Sequence, residues 1–359
     1  MGNGRNGSGA RRHHRRGPLR TLKRRVKRKL LKYKWLVPAL VLAVIVLGGA
    51  GMWMMQSVQS GKVQRISANA QFNAGSGYRD IVYKGKGYRY NNRITTILYA
   101  GVDAKGALTP NREYTSAPRA DSIAVVVLDE LNRRMTIIAL NRDTMTGIHK
   151  YTLNGLDRGV FVDHLGYAYT YGEGGVVSCR NLCTAVSDLL CGVPVNEYVA
   201  TSRGSIPAIG EALGEVTVVV PNDDLADLGY IAGETAVIDA DNLETFVRSR
   251  DIGEAFSNEH RMERQRAYIN GAADRIRSLF EDRTSEAWEK LETMEGLVQT
   301  NITRSRYLAL TKALRKTAYN EQDYYIPEGR RVEGKRHDEF YPDPDALQKK
   351  VIEIFYMEK

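Results

Sequence analysis

Three short motifs put charge at the ends of apolar runs. Gly101-Val102-Asp103 closes a run that begins at Ile94, Arg119-Ala120-Asp121-Ser122 opens the run Ile123 to Leu128, and Asn141-Arg142-Asp143-Thr144 closes the run Met135 to Leu140. Burying guanidinium and carboxylate groups is expensive unless they pair or hold a ligand. Two readings are therefore open. The groups neutralise one another, which is the commoner fate of such clusters, or they hold a pyrophosphate with a divalent cation. Arginines grip phosphate oxygens bidentately, and hard carboxylate oxygens suit Mg²⁺ or Mn²⁺.

A second cluster lies downstream. A short helix from Asp239 ends in Phe246-Val247-Arg248-Ser249-Arg250. Arginines two apart share a direction only where the chain leaves helical geometry, and a cationic pair is also welcome at a helix C-terminus. Arg261, Arg264 and Gln265 then open a long helix expected to reach Phe280. Their spacing places both arginines on one face near the positive end of that helix, a disfavoured location unless an anion sits there. This tips the balance toward phosphate.

The apolar runs carrying the first cluster are continuous and bounded by turn formers, as strands covered on both faces are. They predict the centre of a sandwiched sheet, with a cleft at the strand ends. A polar region with His149, Asp157 and Arg158 reads as a hairpin or loop over the cleft mouth. The alternating tyrosines of His164-Leu-Gly-Tyr-Ala-Tyr-Thr-Tyr-Gly172 read as one face of a strand, or as a sugar-stacking wall. Val176 to Leu190 is an amphipathic helix whose buried stripe takes Cys179, Leu182, Cys183, Val186 and Leu190. An odd number of cysteines, 3, with Cys191 too far along the helix to reach Cys183, points to core packing rather than a disulfide framework. Further strands are expected over Pro194 to Thr201 and Val216 to Val220, a short helix over Pro207 to Leu213, and packing helices near Trp288, Leu308 to Leu314 and Leu347 to Ile354.

The flanks place this domain. Residues 1–34 hold 14 Lys and Arg and no acid, so with a whole-chain charge of +10 the remainder carries −4. The opening residues read as a disordered basic tail. Residues 35–55, 21 residues without a charge, suffice at about 1.5 Å each to cross a hydrocarbon core about 30 Å thick. Trp35 and Trp53 sit where interface aromatics belong, and an uncleaved anchor is favoured over a signal peptide. The positive-inside rule then makes residues 1–34 a cytoplasmic tail against anionic lipid headgroups, with everything after Gln56 outside. Residues 56–92, polar and without periodicity, read as a stalk in which Tyr78, Tyr83, Tyr88 and Tyr90 could pack on the domain that occupies 93–359.

Taken in order, Gly-x-Asp, Arg-x-Asp-Ser, Arg-Asp-Thr, Tyr-Ala-Tyr-Thr-Tyr-Gly, Phe-Val-Arg-Ser-Arg and Arg-x-x-Arg-Gln, over about residues 94–275, resemble the LytR-CpsA-Psr family of bacterial cell-envelope proteins. The resemblance implies a three-layer α/β/α domain with a mixed central sheet and a hydrophobic slot for a polyprenyl tail. It implies a Mg²⁺-dependent transfer of a glycopolymer, such as wall teichoic acid or capsule, from an undecaprenyl-pyrophosphate carrier to peptidoglycan, with pyrophosphate cleavage as a side activity. By the same resemblance Asp103 and Asp121 hold the metal, and Arg119, Arg142, Arg248, Arg250, Arg261 and Gln265 hold the pyrophosphate; Arg264 joins that set by its helix spacing to Arg261. Asp143 steadies Arg142, and Asp121 or Asp103 is a poor candidate for general base. Three positions depart from the family pattern: Asn141 replaces a proline, Asn258 replaces an aspartate, and His164 stands at a position that is usually lysine, where it would be a pH-dependent phosphate ligand.

A non-catalytic polyprenyl-phosphate-binding or regulatory protein would use the same residues. A nucleic-acid binder, suggested by the basic tail, is disfavoured. No recognition motif is present, and the portion carrying the site motifs is acidic overall.

Overall fold

The computed structural model describes residues 80–110, 118–152, 156–251, 253–282, 288, 294, 296–334 and 337–359. The expected tail, membrane-crossing helix and stalk as far as residue 79 lie outside these. Among the described residues no helix is long and apolar enough to cross a membrane.

The strands are β1 (Asp80–Tyr83), β2 (Lys86–Tyr90), β3 (Ile94–Val102), β4 (Ala120–Asp129), β5 (Arg134–Leu140), β6 (Met145–Tyr151), β7 (Asp157–His164), β8 (Glu197–Ser202), β9 (Val216–Val219), β10 (Thr235–Ile238), β11 (Val298–Thr300), β12 (Tyr324–Tyr325), β13 (Gly329–Val332), β14 (Glu339–Pro342) and β15 (Tyr356–Glu358). The helices used below are α1 (Tyr167–Thr170), α2 (Val176–Leu189), α3 (Ile206–Leu213), α4 (Leu243–Arg248), α5 (Ser257–Asp282), α6 (Arg304–Leu314) and α7 (Pro344–Phe355).

The central sheet runs β11-β8-β3-β4-β5-β12. It is mixed: β3 pairs antiparallel with β4 and parallel with β8, β4 pairs antiparallel with β5, and β12 runs parallel to β5. Alternate residues face opposite layers. Leu98, Ala100, Val125 and Val127 pack with α2 and α7 through Leu182, Val186, Val351 and Phe355. On the other face Ile97, Val126 and Val199 meet α6 through Tyr307 and Leu310, with Ile209 of α3 and Ile276 of α5 beside them. This covering on both faces is why the strands are apolar throughout.

Two expectations change. The stretch taken as the end of a stalk is structured from Asp80, where β1 and β2 form a hairpin that β15 completes as a third strand. Tyr90 is buried in the main core, so the domain begins before residue 93. The tyrosine motif forms the turn of α1 rather than a strand. Tyr169 is fully buried, its hydroxyl donating to Gly174 O, and a four-residue helix satisfies that burial as well as a strand could. Cys179 and Cys183 are free and buried in the core as expected, and Cys191 is free and exposed.

Candidate functional site

The charged motifs meet at one end of the sheet because strand pairing leaves them no alternative. Val102 at the end of β3 pairs with Ala120 at the start of β4, and Asp103 N donates to Arg119 O at 3.0 Å. Beyond β5 the chain turns at once. Asn141 accepts from Asp143 N on its side-chain oxygen and from Thr144 N on its carbonyl, an Asx-type turn that fixes the Arg142 backbone. Gly166 N donates to Arg142 O while Gly166 O accepts from Ala120 N. A Cβ at Gly166 would lie 2.6 Å from Ala120 O, so only glycine lets β4 and the Arg142 turn close on this loop.

Asp121 is the hub. Its Oδ1 accepts from Arg142 Nη1 at 2.5 Å and Arg119 Nε at 3.0 Å, and Arg261 Nη1 lies 3.7 Å from Oδ2. Arg261 Nη2 also donates to Asp121 O at 2.7 Å. Burial would raise the Asp121 carboxyl, but Arg142, Arg261 and Arg119 outweigh it and hold the group below its ordinary range.

The converse holds for the cations. Arg261, buried and beside Arg142, is pushed down to about 9, and burial with the neighbouring Arg142 also lowers Arg250. A guanidinium does not give up its proton at neutral pH; these shifts register burial first and then repulsion among the arginines, which Asp121 and Asp143 only partly offset. Among the described residues Arg142 Nε and Arg261 Nε are buried without a hydrogen-bond partner. Arg142 Nε lies 3.4 Å from Asp143 Oδ1 as an ion pair only.

Arg250 reaches this cluster because α4 ends at Arg248 and Ser249 is extended, with ψ 143°. Arg248 turns instead to Asp103, its Nη2 donating to Oδ1 at 2.8 Å. Arg203, which sequence reasoning missed, lies 3.7 Å from the same oxygen and 2.8 Å from Glu244. Its signal was available: β8 runs parallel to β3 with Ser202 opposite Val102, so the next residue must stand beside Asp103.

Below this polar mouth opens a cavity of roughly 280 Å³ between the sheet and α3 to α5. It exists because small residues, Gly101, Ala124 and Ala139 on the sheet and Ala272 and Ala273 on α5, line it together with bulkier neighbours such as Met262, Ile269 and Ile276. Its lining reaches from Asp103, Asp121, Arg248, Arg261 and Gln265 to Leu314 and Tyr319.

Two expected ligands are placed differently. Arg264 is fully buried on another face of α5, donating to Phe246 O, Ser249 O, Asn222 Oδ1 and Asp224 Oδ2. It ties down the Arg248–Arg250 arm and does not line the cavity. His164 lies near Asp143 but has both ring nitrogens engaged, Nδ1 with Asp163 Oδ1 at 3.1 Å and Nε2 with Asp338 O at 2.9 Å. The Asp163 contact raises its pKa against burial, so it contributes charge rather than an open ligand atom. Gln265 bridges Ser122 Oγ and Val247 O at the rim. Asn258 accepts from Arg261 and donates to Asn141 Oδ1, so two of the departing positions hold each other.

The carboxylates suit a hard divalent cation. Arg248 and Arg203 both address Asp103 Oδ1, and Arg119 and Arg142 both address Asp121 Oδ1. Among the described residues each Oδ2 is left with at most a distant arginine, so these are the oxygens that could take a hard cation.

Fold and site together define an α/β domain in which a cation-rich mouth opens onto an apolar cavity. The chain belongs to the LytR_cpsA_psr family, whose model matches residues 55–337. It is 26% identical over 241 residues to the polyisoprenyl-teichoic acid–peptidoglycan teichoic acid transferase TagU of Bacillus cereus, covering 65% of this chain and 68% of that protein. A protein of the same name from Bacillus anthracis is 25% identical over 238 residues, with the same coverage. The fold is similar to that of B. subtilis TagV, with TM-score 0.52, 20% identity and coverage of 73% and 96% of the two chains. It is also similar to that of TagT bound to LIIa-WTA, with TM-score 0.53, 19% identity and coverage of 74% and 90%.

Proposed function

We propose that this protein is a phosphotransferase that moves a glycopolymer from an undecaprenyl-pyrophosphate carrier onto peptidoglycan, leaving a phosphodiester. One observation carries the reading: Arg261, which lines an apolar cavity, and Arg142, joined to it through Asp121, are buried with Nε atoms that have no hydrogen-bond partner among the described residues. A ligand that answers both features has a polyanionic head and a hydrocarbon tail. Family membership and the names of the curated relatives support the same reading.

In this mechanism Arg119, Arg142, Arg250 and Arg261 take the oxygens of the diphosphate, and Asp143 holds Arg142 in line. A hydroxyl oxygen of peptidoglycan attacks the phosphorus that carries the polymer. The bond to the lipid phosphate breaks, and its electron pair leaves with that phosphate. The guanidiniums favour this because negative charge shifts onto oxygens they already face, in a site largely shielded from water. Asp103 and Asp121 would hold a Mg²⁺ or Mn²⁺ ion through Oδ2, which when bound supplies Lewis-acid stabilisation of the same charge. Water in place of the hydroxyl gives pyrophosphate cleavage as a side activity.

For this to work the domain stands outside the membrane, residues 35–55 cross it, and residues 1–34 lie in the cytoplasm against anionic lipids.

The test uses the full chain purified in detergent. Native mass spectrometry should find a polyprenyl pyrophosphate bound, and a synthetic lipid-linked oligosaccharide should be joined to peptidoglycan strands in the presence of Mg²⁺. Retention of the lipid without transfer or cleavage would identify a binding protein instead.

A further inference from the structure

The transfer needs an acceptor for the proton of the attacking hydroxyl, and the carboxylates of the mouth are committed elsewhere. Asp121 serves Arg142, Arg119 and Arg261, Asp103 serves Arg248, and Asp143 lies against Arg142. Asp121, held below its ordinary range by these guanidiniums, is a weak base.

The structure brings one more titratable group to this place, from a segment that carries no recognisable motif. Residues 338–340 are laced onto the elements of the site. Asp338 O accepts from His164 Nε2 at 2.9 Å, Asp338 Oδ2 accepts from Phe256 N at 2.8 Å, and Phe340 N donates to Asp143 O at 2.9 Å. Thr144 and Phe340 form a parallel bridge. His337, immediately before this anchored run, is therefore held beside His164 and within electrostatic reach of Arg119, Arg142 and Asp143. Its ring lies edge-on to His164 with centroids 5.9 Å apart, and is tilted against Tyr167 at 6.4 Å. Unlike His164, it is exposed.

We propose that His337 is the general base of the transfer, taking the proton of the peptidoglycan hydroxyl as its oxygen attacks phosphorus. The inference rests on the function proposed above. The balance is simple: the O–H bond breaks with its proton passing to an imidazole nitrogen of His337, the O–P bond forms, and the P–O bond to the lipid phosphate breaks with its electron pair on the leaving oxygen.

The charges around the two histidines separate their roles. His164 is held toward its protonated form by Asp163, by the Asp338 carbonyl and by Asp143. His337 is pushed the other way, by partial burial first, then by the charges of His164, Arg119 and Arg142, with Asp143 opposing. Tyr167 packs against both, perpendicular to the His164 ring and tilted to that of His337. A pair of like groups whose surroundings drive them apart is how a site keeps one cation and one free base at the same pH. His337 is thus biased toward its neutral form, beside cationic neighbours that would draw the phosphate.

The experiment is transfer from a synthetic polyprenyl-pyrophosphate oligosaccharide to peptidoglycan strands, measured across pH with the full chain in detergent and with His337→Gln and His337→Ala. Being exposed, the position tolerates both. Loss of a general base costs about 10² to 10⁴ in turnover. We expect kcat to fall by at least about 100-fold, KM for the donor to hold within about twofold, and the acidic limb of the wild-type pH profile to vanish. Wild-type kcat in His337→Gln, or an unchanged acidic limb at reduced rate, overturns the assignment, as does a KM rise that accounts for the whole loss. If the wild-type chain itself transfers nothing, the proposed function fails, and that result is separate from any effect of the variants.

Discussion

Arg142 and Asp121 are joined Nη1 to Oδ1 at 2.5 Å with side chains 5% and 15% exposed, yet the pair is not self-contained. The same carboxylate oxygen accepts from Arg119, and Arg261 stands behind it. One anion is shared among three cations, so the hub is stable as a cluster and still short of negative charge.

Replacing Arg142 should separate binding from folding. In Arg142→Ala, Asp121 keeps Arg119 and Arg261, so that carboxylate is not orphaned, and the buried Asp143 loses only a 3.4 Å ion pair. The variant is expected to unfold in urea within about 2 kcal/mol of wild type, while transfer falls by about 10² to 10³, the usual cost of one donor facing developing charge. A wild-type rate would remove Arg142 from the mechanism.

Arg264→Ala should do the reverse. Four acceptors, the Phe246 and Ser249 carbonyls, Asn222 Oδ1 and Asp224 Oδ2, lose a fully buried donor. Breaking a buried pair on one side costs about 3–5 kcal/mol. The measurement is the urea midpoint at constant m-value. A stable variant with weakened lipid retention would restore Arg264 as a ligand.

That contrast marks how far the sequence could be read. The strands from Ile94 to Leu140 were legible because burial on both faces writes an unbroken apolar run, and their end residues fix where Asp103, Asp121 and Arg142 must meet. Arg264 was misplaced because the spacing Arg261 to Arg264 is three residues: close enough on a helix to share a face, yet far enough for the second side chain to turn to the Asn222–Asp224 loop. The short helix at Tyr167 was hidden since buried aromatics suit either a strand or a turn. His337 was invisible, because its position depends on contacts between residues nearly 200 apart, such as Phe340 N to Asp143 O.

The pH dependence of stability should carry the mark of His164. Its pKa is raised above 6.5 in the folded state, chiefly by Asp163. Protonation therefore favours folding below pH 6.5, and that contribution is lost as pH rises through the raised value. Asp163, although burial opposes it, is held well below its ordinary range by His164 and Lys150, so its own contribution fails only in strong acid. Thermal melts of wild type between pH 6 and 9 should show a decline that His164→Gln lacks. Parallel curves would mean the His164 to Asp163 contact carries no net energy.

Head and tail recognition should be separable at the cavity. Ala124 faces the space between β4 and α5, and its small side chain is part of the reason that space exists. In a close-packed interior an added ring costs about 1–3 kcal/mol, but here a cavity of roughly 280 Å³ can receive it. Ala124→Phe is expected to fold with wild-type stability or better and to emerge from purification without a polyprenyl lipid. The arginine cradle is untouched, so inorganic pyrophosphate with Mg²⁺ should still stabilise the variant, by about 2.7 kcal/mol at one hundred times its Kd. In Arg261→Ala the pattern should invert, with the pyrophosphate response reduced and the cavity intact. If Ala124→Phe kept its lipid, the hydrocarbon would have to lie elsewhere, and the link between this cavity and the cationic mouth would be broken.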